Sequence, residues 1–452
     1  MPGLLRGLLR IRSRLCGAHG RRGSPRPRGL RADAGVVAGG ERPRCGECRA
    51  TAVHDQRGGV LRPVRERARQ RCPPGRLQRG ADHRVGRVRH PGGRGRCLAA
   101  GCRRHHGGPV VRSADGPAGG LIDVHGHIVL EGSMGRAGAC GPEIGYHPDG
   151  SPWFRVGNYQ LDGVAYRGSL FIEADVRLAA MDAAGIRVQA LSPNPLTYLH
   201  FIAAPAAVDF CRAHNDSLAE VVADHPDRFV GLGALPMQDI EAACAELHRI
   251  VGELGLLGGY IGTDFGTPLD APAMDGLYES CIELDVPLFL HPTQSGIDGP
   301  LLDERLRRWD LDLVLEYSLE EALAAATLVF GGVVRRHPAL DICLSHGGGS
   351  LALALSKLRK LAERRPASPA WLKPEGVFDE QLGRLWFDCH VTGAREFAFV
   401  AEVLGTDRLV YGTNFGGWDR GTGPDVVDLA GSLNANAVRL LRLARRAPHL
   451  LG

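Results

Sequence analysis

Eight short apolar runs alternate with helix-like segments from residue 121 onward, and this alternation limits the possible folds more than any other feature. The runs cover residues 121–129, 188–193, 229–236, 258–263, 286–291, 341–346, 385–390 and 409–414. Nearly continuous apolar strands separated by helices are typical of a parallel sheet that is covered on both faces. Eight such units predict an α/β fold, a closed (β/α)8 barrel of the TIM type. A doubly wound open sheet is the alternative, but no glycine-rich phosphate-binding motif follows the first run.

The segment 173–185, "EADVRLAAMDAAG", illustrates the helices between the runs. Its apolar spacing predicts an amphipathic helix, and Gly185 is a suitable C-cap. The residues expected on its buried face are Val176, Leu178, Ala179, Met181 and Ala183.

The first 120 residues differ sharply from the rest of the chain. They contain 28 Arg and no Lys against seven Asp plus Glu, and they have no Phe, Tyr or Trp. A segment so rich in Arg, Gly and Pro lacks the apolar mass that would offset the entropy of ordering it. We therefore expect residues 1–117 to be a disordered or non-native extension and residues 118–452 to form the barrel. A nucleic-acid-binding arm is a less favoured interpretation, because lysines and stacking aromatic residues are missing.

Cysteine usage and hydropathy bear on the cellular environment. Cys45 and Cys48 resemble half of a zinc site, but no second pair with suitable spacing accompanies them. Six cysteines after residue 120 are scattered singly through apolar stretches, which indicates thiols in a reducing compartment. No apolar run approaches the roughly eighteen residues that a membrane span needs. The expectation is a cytoplasmic protein.

Histidines mark the ends of three predicted strands. His125 and His127 lie two residues apart in the first strand, so both side chains point to the same face. His291 ends the fifth strand and His346 the sixth. Because a barrel presents its functional groups at these strand ends and imidazole is a common metal ligand, the four histidines predict a metal site. Three protein ligands and an open position are typical of catalytic zinc sites.

Several longer motifs carry a resemblance to a known family. They include "IDVHGHI", "MDAAGIRVQALS", "DRFVGLGALPMQ", "VPLFLHP" and "GGVVRRHPALDICLSHGGGS", within residues 121–443. In these the chain resembles the amidohydrolase superfamily, and within it the branch of aminocarboxymuconate-semialdehyde decarboxylase. The fold that the resemblance implies is again the (β/α)8 barrel.

The resemblance also implies roles for individual residues. His125, His127 and His291 would ligate one divalent metal ion, most readily Zn²⁺. His346 would lie beside a metal-bound water as general acid/base. Arg155 would hold a substrate carboxylate.

Two positions depart from the family pattern. Lys357 lies where relatives place an arginine that reaches into the neighbouring subunit, so a homodimer is implied; nearby Arg359 is a possible substitute. Asn414 lies where relatives have a metal-ligating aspartate, and a neutral amide is a poorer ligand that cannot act as a base. Asp419 is a candidate replacement carboxylate. We assign no role to Asp388.

These features favour a metal-dependent decarboxylase that removes CO₂ without oxidation from a small unsaturated or aromatic carboxylic acid. It would need no organic cofactor, and its partners would be the substrate and a second copy of the chain. A hydrolase or hydratase on the same barrel is the first alternative, although loss of the aspartate weakens it more. A non-catalytic barrel with a decayed metal site is the second.

Overall fold

The computed structural model describes residues 119–293, 297, 303–417, 419 and 426–451. The predicted extension at residues 1–117 and its six cysteines lie outside these residues. Everything described belongs to the compact unit Arg103–Gly452.

Strands occupy the described chain in the following order: β1 (Leu121–Ile128), β2 (Glu143–Tyr146), β3 (Pro152–Val156), β4 (Tyr159–Asp162), β5 (Ile186–Pro193), β6 (Phe229–Gly231), β7 (Gly233–Ala234), β8 (Gly259–Gly262), β9 (Leu288–His291), β10 (Ile342–Leu344), β11 (Trp386–Asp388) and β12 (Leu409–Val410).

Helices fill the connections: α1 (Ala174–Ala184), α2 (Ala204–Asp224), α3 (Ile240–Gly252), α4 (Asp275–Leu284), α5 (Leu315–Phe330), α6 (Val333–Arg336), α7 (Leu351–Arg364), α8 (Val377–Leu382), α9 (Ala394–Leu404), α10 (Ala430–Leu440) and α11 (Leu443–Arg446).

Nine of these strands close into a parallel barrel with eight positions. Strand β1 pairs with β5 and β5 with β6, while β7 to β12 pair in sequence order. Strands β6 and β7 share one position, interrupted only at Leu232. The barrel closes where β12 and the residues after it meet β1: the amide of Val124 donates to Tyr411 at 2.9 Å, and Gly126 bridges Phe415. This closure confirms the predicted (β/α)8 barrel and excludes the open sheet.

The predicted helix at residues 173–185 is confirmed as α1, and Gly185 caps it in the left-handed conformation at φ 71°. Its predicted buried face is largely wrong. Val176 is 43% exposed, whereas Arg177 and Met181 are the buried side chains of this helix. The helix is rotated toward Arg177 because the guanidinium finds hydrogen-bond acceptors inside the protein, which hydrophobicity alone does not reveal.

A small antiparallel sheet, β2–β3–β4, is inserted between β1 and α1. No strand was predicted between residues 130 and 187, so this sheet was missed from the sequence. Its last strand contributes Tyr159 and Leu161 to the wall of a cavity at the barrel mouth. The insertion therefore covers one side of the site.

The two largest apolar clusters contain none of the polar side chains at the strand ends. The larger joins the strands to the surrounding helices, and the smaller packs Ile122, Val188 and Trp386 with Leu440 and Leu443 of the C-terminal helices. Polar side chains at the carboxyl ends of the strands are buried without belonging to either cluster. No helix of the described residues is long and apolar enough to cross a membrane.

Candidate metal centre

Three histidines from two strands meet at the carboxyl end of the barrel. His125 and His127 lie on β1 and His291 ends β9. Their candidate ligand atoms all lie within 4.8 Å of one another, and the Nε2 atoms of His125 and His127 are 3.0 Å apart. The structure thus brings together the three histidines that the sequence predicted.

Each of the three rings has its Nδ1 atom engaged away from the cluster. The Nδ1 of His125 is 2.6 Å from Asp388 Oδ2, that of His127 is 3.0 Å from the Pro193 carbonyl, and that of His291 is 3.0 Å from the Pro292 carbonyl. An Nδ1–H that donates to an oxygen leaves Nε2 with its lone pair. The cluster therefore presents three unprotonated nitrogens.

The electrostatics of the cluster agree with this tautomer assignment. Burial, followed by the charges of neighbouring histidines, holds the pKa values of His127 and His291 well below the usual range. Rings that stay neutral at neutral pH keep the lone pairs that a divalent metal ion needs. The donor set fits such an ion.

Asp388 is the carboxylate behind His125, so assigning it no role was wrong. Its Oδ1 also accepts from the amide of His390 at 2.9 Å, which fixes the side chain. A carboxylate that accepts from a ligating histidine sets its tautomer and orientation. The sequence signal was an aspartate inside the predicted strand "LWFDCH", two residues before the histidine that ends it.

Asn414 lies in the same cavity, in the segment that follows β12, with φ at 50°. Its Nδ2 donates to Asp419 Oδ1 at 2.7 Å. Its Oδ1 is buried and has no hydrogen-bond partner among the described residues. A buried acceptor without a partner costs about 1–3 kcal/mol, and a cation would satisfy it. This orphaned oxygen is a second observation that fits a metal ion.

His346 lies beside the cluster at the end of β10. Its ring centroid is 4.8 Å from that of His291 and 5.1 Å from that of His125. Its Nδ1 is 3.4 Å from Glu321 Oε1 and 3.2 Å from Ser345 Oγ. Burial lowers the pKa of His346 to about 3.

A further pair, His390 and Asp419, lines the cavity. Of the two, only Asp419 was considered from the sequence. His390 Nε2 is 3.0 Å from Asp419 Oδ2. Burial disfavours ionisation of Asp419, but the hydrogen bonds with His390 and Asn414 and the charges of His390 and His346 together outweigh it and lower the pKa of the carboxyl to about 2. Asp419 was considered as a replacement metal ligand, whereas the structure shows it bonded to Asn414 and His390.

Arg155 and Lys357 are not brought into the cavity. The guanidinium of Arg155 pairs with Glu143 at 2.6 Å across β2 and β3 and also donates to the carbonyl of Gly157. Lys357 is exposed on α7. Arg359 donates to both oxygens of Asp379. The predicted substrate and subunit-bridging roles of Arg155 and Lys357 stay predictions.

A cavity of about 690 Å³ opens above the histidines. Its walls are mainly aromatic and aliphatic, and its polar lining residues include His127, His291, His346, His390, Asn414 and Asp419. No Lys or Arg is among the described residues that line it. The apolar wall residues include Tyr159, Tyr166, Phe171, Leu196, Leu313 and Val391.

A buried polar network supports β1 from behind. Arg177 donates to the carbonyls of His127 and Leu170 and, at 2.7 Å, to Gln189 Oε1. Gln189 in turn donates to Asp123 Oδ2 at 2.7 Å. Burial lowers the pKa of Arg177 to about 9. The network fixes the strand that carries two of the three histidines.

A closed parallel barrel with three histidines clustered at its strand ends is the arrangement of a metal-dependent TIM-barrel protein. The family model of the amidohydrolases described as "Amidohydrolase" matches residues 122–442. The chain belongs to this family, which confirms the resemblance found in the sequence.

The relatives are named decarboxylases in most cases. The chain is 31% identical over 258 residues to 2-amino-3-carboxymuconate-6-semialdehyde decarboxylase of Dictyostelium discoideum, covering 56% of this chain and 70% of that one. It is 31% identical over 260 residues to gamma-resorcylate decarboxylase of a Rhizobium species, covering 53% and 76%. A 2-keto-4-carboxy-3-hexenedioate hydratase of a Sphingobium species is 27% identical over 227 residues, covering 48% and 62%.

A solved structure shares the fold over nearly its whole length. It is the dihydroxybenzoic acid decarboxylase of Polaromonas sp. JS666 with bound manganese and the inhibitor 2-nitroresorcinol. The match has 25% identity and a TM-score of 0.55, and covers 72% of this chain and 98% of that chain.

Proposed function

We propose that the protein is a metal-dependent, non-oxidative decarboxylase of a small aromatic carboxylic acid. The observation that carries the proposal is the three-histidine cluster at one end of a mainly apolar cavity, with a fourth histidine, His346, beside it. The decarboxylases among the relatives support the reaction type.

His125, His127, His291 and Asn414 would hold one divalent ion. When bound, the ion supplies positive charge that stabilises the negative charge developing on substrate oxygens. Zinc is our proposal for the resident ion, because imidazole suits it well, and manganese is the alternative that the crystallised relative supports. Metal analysis of the protein purified without chelator distinguishes the two.

His346 is proposed to relay the proton: burial keeps its ring neutral, so the ring takes up a proton from solvent as it passes one to the substrate. Loss of CO₂ breaks the bond between the ring carbon and the carboxylate, and the electron pair stays on the ring. One proton must be added to that carbon, so the net reaction consumes one proton from solvent. His346 is placed for this delivery, since its ring lies against His291 and lines the cavity, while Glu321 and Ser345 hold its Nδ1 side.

The cavity wall defines the rest of the substrate. The aromatic rings of Tyr159, Tyr166 and Phe171 offer stacking surfaces for a planar ring. With no cationic side chain among the described lining residues, the wall favours a substrate that bears one carboxylate, placed at the histidine end. Arg155 can bind substrate only if its guanidinium releases Glu143. The variant Arg155→Gln tests the predicted substrate-binding role.

We also propose a homodimer. Helices α5 and α7 pack together, and each carries exposed leucines. Leu315, Leu319 and Leu323 on α5 are about half exposed, and Leu353 on α7 is 77% exposed. Leucines spaced four residues apart form one face of a helix. A second copy of the chain, which also brings Lys357 on α7, is the proposed occupant. Leu319→Asp should convert the dimer to a monomer in sedimentation equilibrium.

We also propose a cytoplasmic location, on the evidence of the cysteines. Cys211, Cys244, Cys281, Cys343 and Cys389 are free thiols in the described part of the chain. Unpaired thiols are typical of a reducing compartment.

The test of the reaction is CO₂ release from a panel of hydroxybenzoates, measured with the metal-loaded protein. His346→Asn should lose activity by about 10²–10⁴-fold, the usual contribution of a positioned acid/base, while it retains its metal. A hydratase, the function named for the Sphingobium relative, would instead add water to an enol acid without releasing CO₂. A metal-loaded protein that is inert toward every carboxylic acid tested would contradict the proposal.

A further inference from the structure

We propose that Asp419 is a positioning residue that turns Asn414 into a metal ligand and supplies the negative charge that the ligand set lacks. The inference rests on the proposed metal site, and it concerns this chain's own residues. Asp419 touches none of the three histidine ligands in the contacts of the structure; it acts through Asn414.

The hydrogen bond between the two residues selects the orientation of the amide. A side-chain amide has one face that donates and one that accepts, and only the oxygen can bind a cation. An ionised carboxylate accepts hydrogen bonds and cannot donate them. Because Asp419 Oδ1 lies 2.7 Å from Asn414 Nδ2, the NH₂ group is held on the Asp419 side. The amide oxygen, buried and without a partner among the described residues, is left for another ligand.

Asp419 is itself held at its second oxygen. His390 Nε2 lies 3.0 Å from Asp419 Oδ2, and the Asp419 side chain is only one quarter exposed. His390 is in turn fixed by its backbone amide, which donates to Asp388. Because both oxygens of Asp419 are hydrogen-bonded, the carboxylate loses little further conformational entropy when it orients the Asn414 amide.

The proposed ligands include no anionic group. Three neutral imidazoles and one neutral amide would leave a divalent ion with no anionic ligand. The described carboxylates hydrogen-bonded to a side chain of the proposed ligand set are Asp388, at His125, and Asp419, at Asn414. Charge transmitted through a polarised ligand strengthens that ligand as a donor. Asp419 therefore supplies through Asn414 the negative charge that a carboxylate at position 414 would supply by binding the ion directly.

A charge swap tests this directly. The full-length protein is stripped of metal, and dissociation constants for Mn²⁺ and Zn²⁺ are measured by competition with a metal-binding dye. We expect Asp419→Asn to weaken binding about 10–100-fold, the usual effect of losing an outer partner of a ligand. The double variant Asn414→Asp/Asp419→Asn keeps the net charge and one hydrogen bond between the positions. It should bind at least as tightly as the wild type.

The single variant Asn414→Asp is expected to gain less than the double variant, because it places two carboxylates side by side. The matched control is Asp162→Asn, which breaks an exposed His–Asp pair with His147 and should not change metal binding. Circular dichroism spectra confirm that each variant is folded.

The outcomes separate this inference from the proposed function. Equal metal affinity of the wild type and Asp419→Asn, or a double variant as weak as Asp419→Asn, overturns the role of Asp419. Tight metal binding that follows the expected order without CO₂ release from any substrate overturns the decarboxylase proposal alone. A wild-type protein that binds neither ion overturns both.

Discussion

Arg177 is the side chain whose replacement tests our account of the barrel most directly. It is buried in the helix that follows the inserted sheet, and its guanidinium donates to two backbone carbonyls and to Gln189. We predict that Arg177→Met lowers the free energy of unfolding by about 2–4 kcal/mol.

The magnitude follows from the three acceptors that lose their donor. Each buried acceptor left without a partner costs about 1–3 kcal/mol. Part of this cost is offset, because methionine removes the penalty of burying a guanidinium. Arg177→Lys should be destabilised by a smaller amount, since one ammonium group keeps some of the bonds but cannot reach all three acceptors in the guanidinium geometry.

The assay is urea unfolding in the presence of a chelator, which keeps metal binding out of the measurement. The midpoint should fall while the slope with denaturant stays the same. Arg167→Met is the matched control: this arginine is about half exposed and pairs with Glu131 at the surface. Its loss should change the unfolding free energy by no more than about 1 kcal/mol.

An Arg177→Met variant that is as stable as the wild type, within the error of the control, contradicts the prediction. A lysine variant less stable than the methionine variant contradicts it as well. Either result would mean that the hydrogen bonds of Arg177 do not contribute to holding β1 in place.

Three further predictions concern the metal centre. Asp388→Asn should weaken metal binding about 10–100-fold, because the partner that fixes the His125 tautomer is lost; unchanged affinity in a dye competition would contradict this. Removal of metal should lower the thermal midpoint, and re-addition at about 100 times the dissociation constant should restore about 2.7 kcal/mol; a midpoint indifferent to metal would count against the site. Gly416→Ala should destabilise the protein by about 1–2 kcal/mol, since φ is 88° and a Cβ would lie 2.8 Å from the His127 carbonyl. Gly405→Ala, at φ 82° with open space around its Cβ, is the control that carries only the backbone cost.

The sequence by itself determined the barrel and predicted the three histidines that meet at its strand ends. Strand-forming runs repeat eight times because each unit must bury one strand and one helix face. This requirement produces a local pattern of apolar residues that can be recognised in the sequence. His125 and His127 were predicted on one face because side chains alternate along a strand with a period of two. His291 and His346 were found because barrel strands end where functional groups are presented.

Only the tertiary structure decided which partners each side chain meets. Asp388 and His125 are 263 positions apart in sequence, and nothing local to either one indicates the 2.6 Å contact. The buried position of Arg177 depends on acceptors from β1 and β5, so an apolar stripe could not predict it. The pairing of Arg155 with Glu143 depends on a sheet whose strands are too short to be recognised from their composition.

Asn414 shows most clearly the difference between what the sequence determines and what the tertiary structure decides. The sequence has a neutral residue where the family resemblance places a metal-ligating aspartate, which implied a poorer ligand and left a decayed site as an alternative. The fold places Asp419 against its amide nitrogen, so the carboxylate is still present, one hydrogen bond farther from the cluster. Sequence fixes which donors a chain possesses, whereas distance and orientation, which set hydrogen bonds and electrostatic interactions, exist only once the chain has folded.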